Sequence, residues 1–258
     1  MKKRIKTMVI LLRSIPSPVV ALFVLSVIAM NILANKTIFM NDLVAIDGGI
    51  LVSWLSFLSM DIVTKHFGPV ASTRLSIFAI IINLLTCLIF FVVSIIPGAS
   101  SEDYTAFNQI IGGTWFILLS STIAFFSSAV INNFLNYEIG KIFKKNPDGK
   151  MAYVTRTYIS TFIGQFFDNL IFAILTFMIF APIFWDGFHW TFIQCVTCSI
   201  IGALLEVLFE IVFSPIGYII LKRWKKDNIG EAYFKYMEEN KWKYLLPEQV
   251  KELEKVLL

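Results

Sequence analysis

Charge, cysteine and histidine are all scarce in this chain. Charged residues make up 16% of 258 positions, against about 25% in soluble domains. With 57% hydrophobic residues and a mean hydropathy of +0.74, a soluble globular enzyme is excluded. Disorder is excluded as well, because it requires low hydrophobicity and high net charge. The three cysteines, Cys87, Cys195 and Cys198, all lie inside apolar runs, so they form no disulfide framework. Cys195 and Cys198 make a C-x-x-C pair without the histidine or second cysteine pair of a metal site, and packing is their reading. With only His66 and His189, no HExxH or Ser–His arrangement exists. No GxxxxGK[ST] loop is present, so the chain does not hydrolyse ATP itself. No cofactor is implied.

What the sequence has in abundance is long apolar runs. A helix crossing a membrane needs about 20 mostly apolar residues. Six stretches qualify, at 17–35, 44–63, 71–96, 114–135, 157–181 and 193–221. The second is the most interrupted, with Asp47, Gly48 and Gly49 at its start and Asp61 near its end. The sixth exceeds one crossing and predicts a tilt, or a bend near Pro215 and Gly217. The run after Pro18 is too long for a signal peptide and reads as a retained anchor. The fold class is therefore all-α: a polytopic membrane protein with six transmembrane helices.

All 22 basic residues except Lys36 fall at the N-terminus, between spans two and three, between four and five, or after span six. Lys and Arg accumulate on the cytoplasmic side. Both termini are thus expected in the cytoplasm of a multi-pass inner-membrane protein. The net charge of +4 follows from this asymmetry, and no nucleic-acid partner is needed to explain it. Residues 1–224 read as a transmembrane domain in contact with lipid. Residues 225–258 read as a short cytoplasmic tail, with Pro247 opening a helix that carries Val250, Leu253, Val256 and Leu257 on one stripe.

Ionisable groups at mid-bilayer cost about 2.5–3.5 kcal/mol on insertion scales and are functional candidates for that reason. Asp168 lies about 18 Å along its helix from Arg156, and Glu206 and Glu210 lie about 22 and 16 Å from Leu221, at 1.5 Å per residue. The three acids share a depth near the middle of the bilayer, and Asp61 sits about a turn from the inner face. In span five, Thr161, Gln165 and Asp168 share one helical face beside Gly164. Gly202, Glu206 and Glu210 form a second polar stripe, and like charges at that spacing repel unless one is protonated or paired with a cation. Asn31 and Asn35 are again four apart. Asn132, Asn133 and Asn136 close span four and read as interhelical glue. Arg74 and Arg156 mark the cytoplasmic border. The inward polar faces predict an acidic, amide-rich cavity, with Trp54, Phe166 or Phe172 offering aromatic faces. A carboxylate accepts two hydrogen bonds side by side, which suits a flat substrate with adjacent N–H donors, such as a guanine-like base or an amidine.

Several of these elements, in this order, resemble a known family. They are Asn31 through Lys36, Asp61-Ile62-Val63-Thr64-Lys65-His66-Phe67-Gly68 followed by Arg74, Ser160 through Asp168 with Gly164-Gln165, and Ser214-Pro215 with Tyr218 and Lys222-Arg223. The sequence resembles the queuosine precursor transporters, also called the vitamin uptake transporter family, over roughly 28–80 and 155–224. The resemblance implies a six-helix importer of 7-deazaguanines such as preQ0, preQ1 or queuine, which feed tRNA modification by salvage. It makes Asn35, Asp61, Arg74, Gln165 and Asp168 candidate substrate or gating residues. Two positions depart from the family pattern: Lys65 stands where an acid is common, and Glu206 where a lysine is common. The candidate substrate-binding set is Asn31, Asn35, Trp54, Asp61, Arg74, Gln165, Asp168, Glu206 and Glu210. An alternative reading is the substrate-binding subunit of an energy-coupling factor system, partnered by a separate ATPase module; Ala-x-x-x-Ala docking patches are not evident in spans one or three. A homo-oligomer is the other partnership left open.

Overall fold

The long apolar runs form long helices. The computed structural model describes residues 2–99, 103–142, 150–185 and 187–240. Along the chain run α1 (Lys2–Ser14), α2 (Ser17–Leu33), β1 (Thr37–Met40), β2 (Ala45–Asp47), α3 (Ile50–Phe67), α4 (Pro69–Ile95) and α5 (Thr105–Ile142). Then come α6 (Lys150–Ala173), a π-helical stretch Ile174–Phe180, α7 (Ala181–Phe184), α8 (Phe192–Lys226) and α9 (Glu231–Glu239). Among the described residues, five helices are long and apolar enough to cross a membrane, and six spans result if α1 and α2, bent by 108°, count as one. The protein is an all-α, multi-pass membrane protein. In α4 the span Val70–Ile95 is only 22% buried, with Ile81, Leu84, Leu85, Leu88 and Ile89 outward, as a lipid-facing helix requires.

Three boundaries differ from the sequence reading. The run from 44 does not begin as a helix. Thr37–Met40 pairs antiparallel with Ala45–Asp47, and Gly48 N–H donates to Lys36 O at 2.8 Å. Only after Asp47 does α3 start, with the Asp47 carboxylate accepting the Gly49 N–H at 2.7 Å and supplying an orphan helix-start donor with a partner. Gly48 and Gly49 are needed here, because a Cβ at either would stand 2.7 Å from Leu33 O or 2.8 Å from Met30 O of α2. The fourth span, α5, begins earlier than expected, where Thr105 N–H meets Asp103 Oδ1 at 2.9 Å. The fifth widens into a π-helix before Pro182, which has no N–H for the regular ladder. In α8, Pro215 lies inside one continuous helix.

The chain divides into two compact units. Met1–Val27, Trp54–Ile82 and Glu210–Leu258 form one. Its core is aliphatic and aromatic, with Leu11, Ile62, Phe67, Leu75, Trp224 and Tyr233 buried together. The helix α9 belongs to this core through Tyr233 and Met237, four residues apart on its inner face. The tail helix proposed from Pro247 lies outside the described residues. His66 Nε2 contacts Ile229 O at 2.8 Å, and Phe67 stacks on Phe234. Gly230 starts α9 at φ 93°, and a Cβ there would collide with the Phe67 ring. Gly230→Ala is therefore expected to cost about 1–3 kcal/mol, read as a lower melting midpoint; an unchanged midpoint would contradict this packing.

Ile28–Ser53 and Asn83–Phe209 form the second unit. Trp190 stacks on Phe177 at 3.8 Å, and its backbone N–H donates to Phe177 O. The hairpin is tied to α8, since Gln194 Nε2 donates to Asn41 O and Thr197 Oγ1 to Leu43 O, both at 2.6 Å. Phe116 of α5 stacks on Phe184 and packs near Ala34 at the end of α2.

Candidate functional site

This second unit also gathers the polar groups that apolar surroundings penalise most. At the end of α2, Asn31 is 2% exposed and its Nδ2 has no partner. One turn on, Asn35 Nδ2 donates to Ile32 O at 3.0 Å and approaches Thr114 Oγ1 of α5 at 3.4 Å, while its Oδ1 stays unsatisfied. On α6, the half-buried Asp168 accepts a hydrogen bond from the Ser128 hydroxyl of α5 at 2.8 Å. On α8, Glu206 is 6% exposed and interacts electrostatically with Asp168 and with Asp47 of β2. The Asn169 amide stands beside the Glu206 carboxylate, yet neither Asn169 Nδ2 nor Glu206 Oε2 completes a hydrogen bond.

Gly202 makes this approach feasible. It lies one turn before Glu206, and a Cβ there would stand 2.7 Å from Asn169 Nδ2. The same point would be 3.6 Å from Ile50, so the start of α3, α6 and α8 meet at this glycine. Asp47 shares the buried environment. Desolvation pushes its carboxyl up to about 6, opposed by the backbone N–H groups of Gly49, Asp47 and Ile50. A raised native value means the folded state binds the proton more tightly, so stability is highest near pH 4 and falls as pH rises toward 6. Asp47→Asn, which retains an acceptor for Gly49, is expected to flatten that fall and raise neutral-pH stability by about 2 kcal/mol. Parallel pH-melting curves for the two proteins would contradict it.

Well over nine-tenths of buried polar backbone groups, and most buried side-chain ones, have partners in native proteins. Here Asn31, Asn35, Asn83, Asn169, Thr176, Trp190 and Glu206 each keep a buried polar atom without one, and all belong to the second unit. A buried polar atom without a protein partner is costly unless water or a bound molecule supplies one. Chemically the set offers acidic and amide acceptors for N–H groups, and amide donors for a carbonyl.

Of the residues expected from the sequence, Asp168 and Glu206 are brought together, and Asn31, Asn35 and Gln165 belong to the same unit. Gln165 is half-buried, one turn before Asp168 on α6. Trp54 and Arg74 belong to the other unit. There Trp54 stacks on Phe213 at 4.3 Å, and Arg74 Nη1 donates to the Tyr233 hydroxyl at 3.4 Å. Asp61 and Glu210 lie on α3 and α8, but their side chains fall outside the described residues, as do those of Asn132, Asn133, Asn136, Arg156 and Thr161. Three participants were not among the expected set. Asp47 was signalled only by the Asp-Gly-Gly turn. Asn169 adjoins Asp168 but sits off the Thr161–Gln165–Asp168 face, and Ser128 had no distinguishing sequence signal.

Comparison with known proteins matches residues 47–220 to the family described as "Putative vitamin uptake transporter". The matched range holds Asp47, Ser128, Asp168, Asn169, Gly202 and Glu206. No curated protein and no solved structure gives a significant match. The match spans well over half of the chain, on a fold of membrane-crossing helices with unsatisfied polar groups in its interior, and the chain belongs to the vitamin uptake transporter family.

Proposed function

We propose that this transporter imports queuosine precursors of the 7-deazaguanine type, such as preQ0, preQ1 or queuine, for salvage into modified tRNA. The observation that carries the reading is the Asp168–Asn169–Glu206 cluster, in which Asn169 Nδ2 and Glu206 Oε2 lack partners. A 7-deazaguanine presents two adjacent N–H donors and a carbonyl on one edge of a flat ring. Asp168 would receive the N–H pair, and Asn169 would serve the carbonyl. The pattern of site chemistry agrees with the sequence resemblance over 155–224, which was drawn from other residues as well. Import would follow alternating exposure of a site near mid-membrane, as in other transporters with polar interruptions at that depth.

The test is a host unable to make queuosine but able to insert its precursors. Expression of this chain is expected to restore queuosine in tRNA from supplied preQ0, preQ1 or queuine at concentrations where the host alone fails. Good expression with no restoration by any of the three would refute the proposal. Co-purification with an ATPase and its coupling subunit would instead assign the chain as the substrate-binding part of an energy-coupling factor system.

A further inference from the structure

We propose that α1 lies in the plane of the membrane and that its outer face binds anionic phospholipid of the cytoplasmic leaflet. The sequence sets the corner that frees it. Pro16 and Pro18 lack the N–H groups that would continue a helical ladder, and a proline disfavours helical backbone in the residue before it. Accordingly α1 and α2 meet at a bend of 108°. The 17 residues of α2 rise about 25 Å at 1.5 Å per residue, most of a ~30 Å hydrocarbon core. The crossing is therefore made by α2, and a helix nearly perpendicular to it runs along the surface. With five basic residues and no acid, α1 belongs on the cytoplasmic side.

At about 100° per residue, α1 has three sectors. Thr7 and Leu11 are fully buried, and Leu11 belongs to the same core as Val63, Phe67 and Leu75. On the opposite side stand Ile5 and Val9, one turn apart and 56% and 42% exposed. Lys6 and Arg13, two turns apart, share one flank of that apolar sector, and both are exposed. Lys6 Nζ stands 5.5 Å from the centre of the Tyr236 ring of α9. An apolar sector edged by cations is the pattern of a helix seated between headgroups and acyl chains. The outer surface of α9, which packs on α1, has the other sign: Glu231, Glu238 and Glu239 are exposed there with Lys235. That surface suits water and is repelled by anionic headgroups. Ile5 and Val9 thus enter the acyl region, and Lys6 and Arg13 meet the phosphates. A zwitterionic headgroup offers no net charge to this flank, so the ligand is an anionic lipid. The inference does not depend on what is transported.

The test uses the full chain carrying a nitroxide label at Val9→Cys. Cys87, Cys195 and Cys198 are buried, and parent protein treated with the label is the control. In nanodiscs the label is expected to be relaxed more by molecular oxygen than by a water-soluble nickel chelate. The reverse order would overturn the in-plane placement. In detergent micelles, titration with phosphatidylglycerol is expected to immobilise the label saturably. The apparent affinity should fall about fivefold in Lys6→Gln and again in Arg13→Gln, the factor one basic residue contributes near an anionic surface. Both side chains are exposed, so neither change should move the melting midpoint. Glu238→Gln on α9 should leave the affinity unchanged. An equal response to phosphatidylcholine, or a phosphatidylglycerol affinity that ignores the loss of both cations, would overturn the proposal. Magnetic coupling between the labels of two copies would assign the face to a second copy of the chain and overturn it as well.

Discussion

Asp168→Asn is expected to weaken binding of a deazaguanine by about 10- to 100-fold, because hydrogen bonds to a charged group contribute about 1.5–3 kcal/mol. Asparagine keeps the size of the side chain and an oxygen for the Ser128 hydroxyl, which stands 2.8 Å from the carboxylate. The fold should therefore survive, and the loss should appear in affinity rather than in expression or melting. The reason is geometric. A carboxylate accepts two N–H groups side by side, whereas an amide presents one acceptor and one donor to the same edge. Titration of the purified variant beside the parent protein, each with its melting curve, is the check. Equal affinities would remove Asp168 from the site.

Gly202→Leu is expected to abolish binding and to lower stability by about 1–3 kcal/mol through overpacking. A Cβ at this position already stands 2.7 Å from Asn169 Nδ2, inside any normal contact. The α6–α8 approach that lets Asn169 face Glu206 depends on the missing side chain. Gly202→Ala grades the effect. Its methyl displaces only the end of the Asn169 side chain, so affinity should fall while the melting midpoint moves little. A leucine variant that binds as tightly as the parent would show that the close approach is irrelevant to the ligand.

Much of the fold was legible because hydrocarbon is an unforgiving solvent. Backbone groups in lipid must be satisfied within the helix, so an uninterrupted apolar run such as 71–96 becomes α4 with little ambiguity. The same logic failed between 37 and 49. Ile38, Phe39, Met40, Val44, Ala45 and Ile46 are as apolar as a helix interior, but their pairing in a hairpin depends on contacts with Asn41, Gln194 and Thr197 that hydropathy does not register. The start of α5 was missed for a related reason: Asp103 caps a turn whose composition is too polar to read as a span.

Part of the candidate cluster was legible as well. Charge in an apolar run picked out Asp168 and Glu206, and the rise of a helix placed them at similar heights. Height alone did not tell that they interact, since that depends on how α6 and α8 are rotated about their axes. Asn169 shows the limit. Helical periodicity put it off the Thr161–Gln165–Asp168 face, and only the close approach at Gly202 turns its amide toward Glu206. Asp47 read as an interruption of a span, whereas it caps α3 and joins the buried acids.

Calorimetric titration of preQ0, preQ1 and queuine into the purified full-length protein in lipid nanodiscs tests the central claim most directly. The account predicts saturable binding of at least one of them, weakened about 10- to 100-fold in Asp168→Asn and abolished in Gly202→Leu, and no binding of an analogue in which the ring N–H and amino group are replaced by methylated nitrogens. Binding of parental strength in both variants, or binding that treats the methylated analogue like its parent, would contradict it.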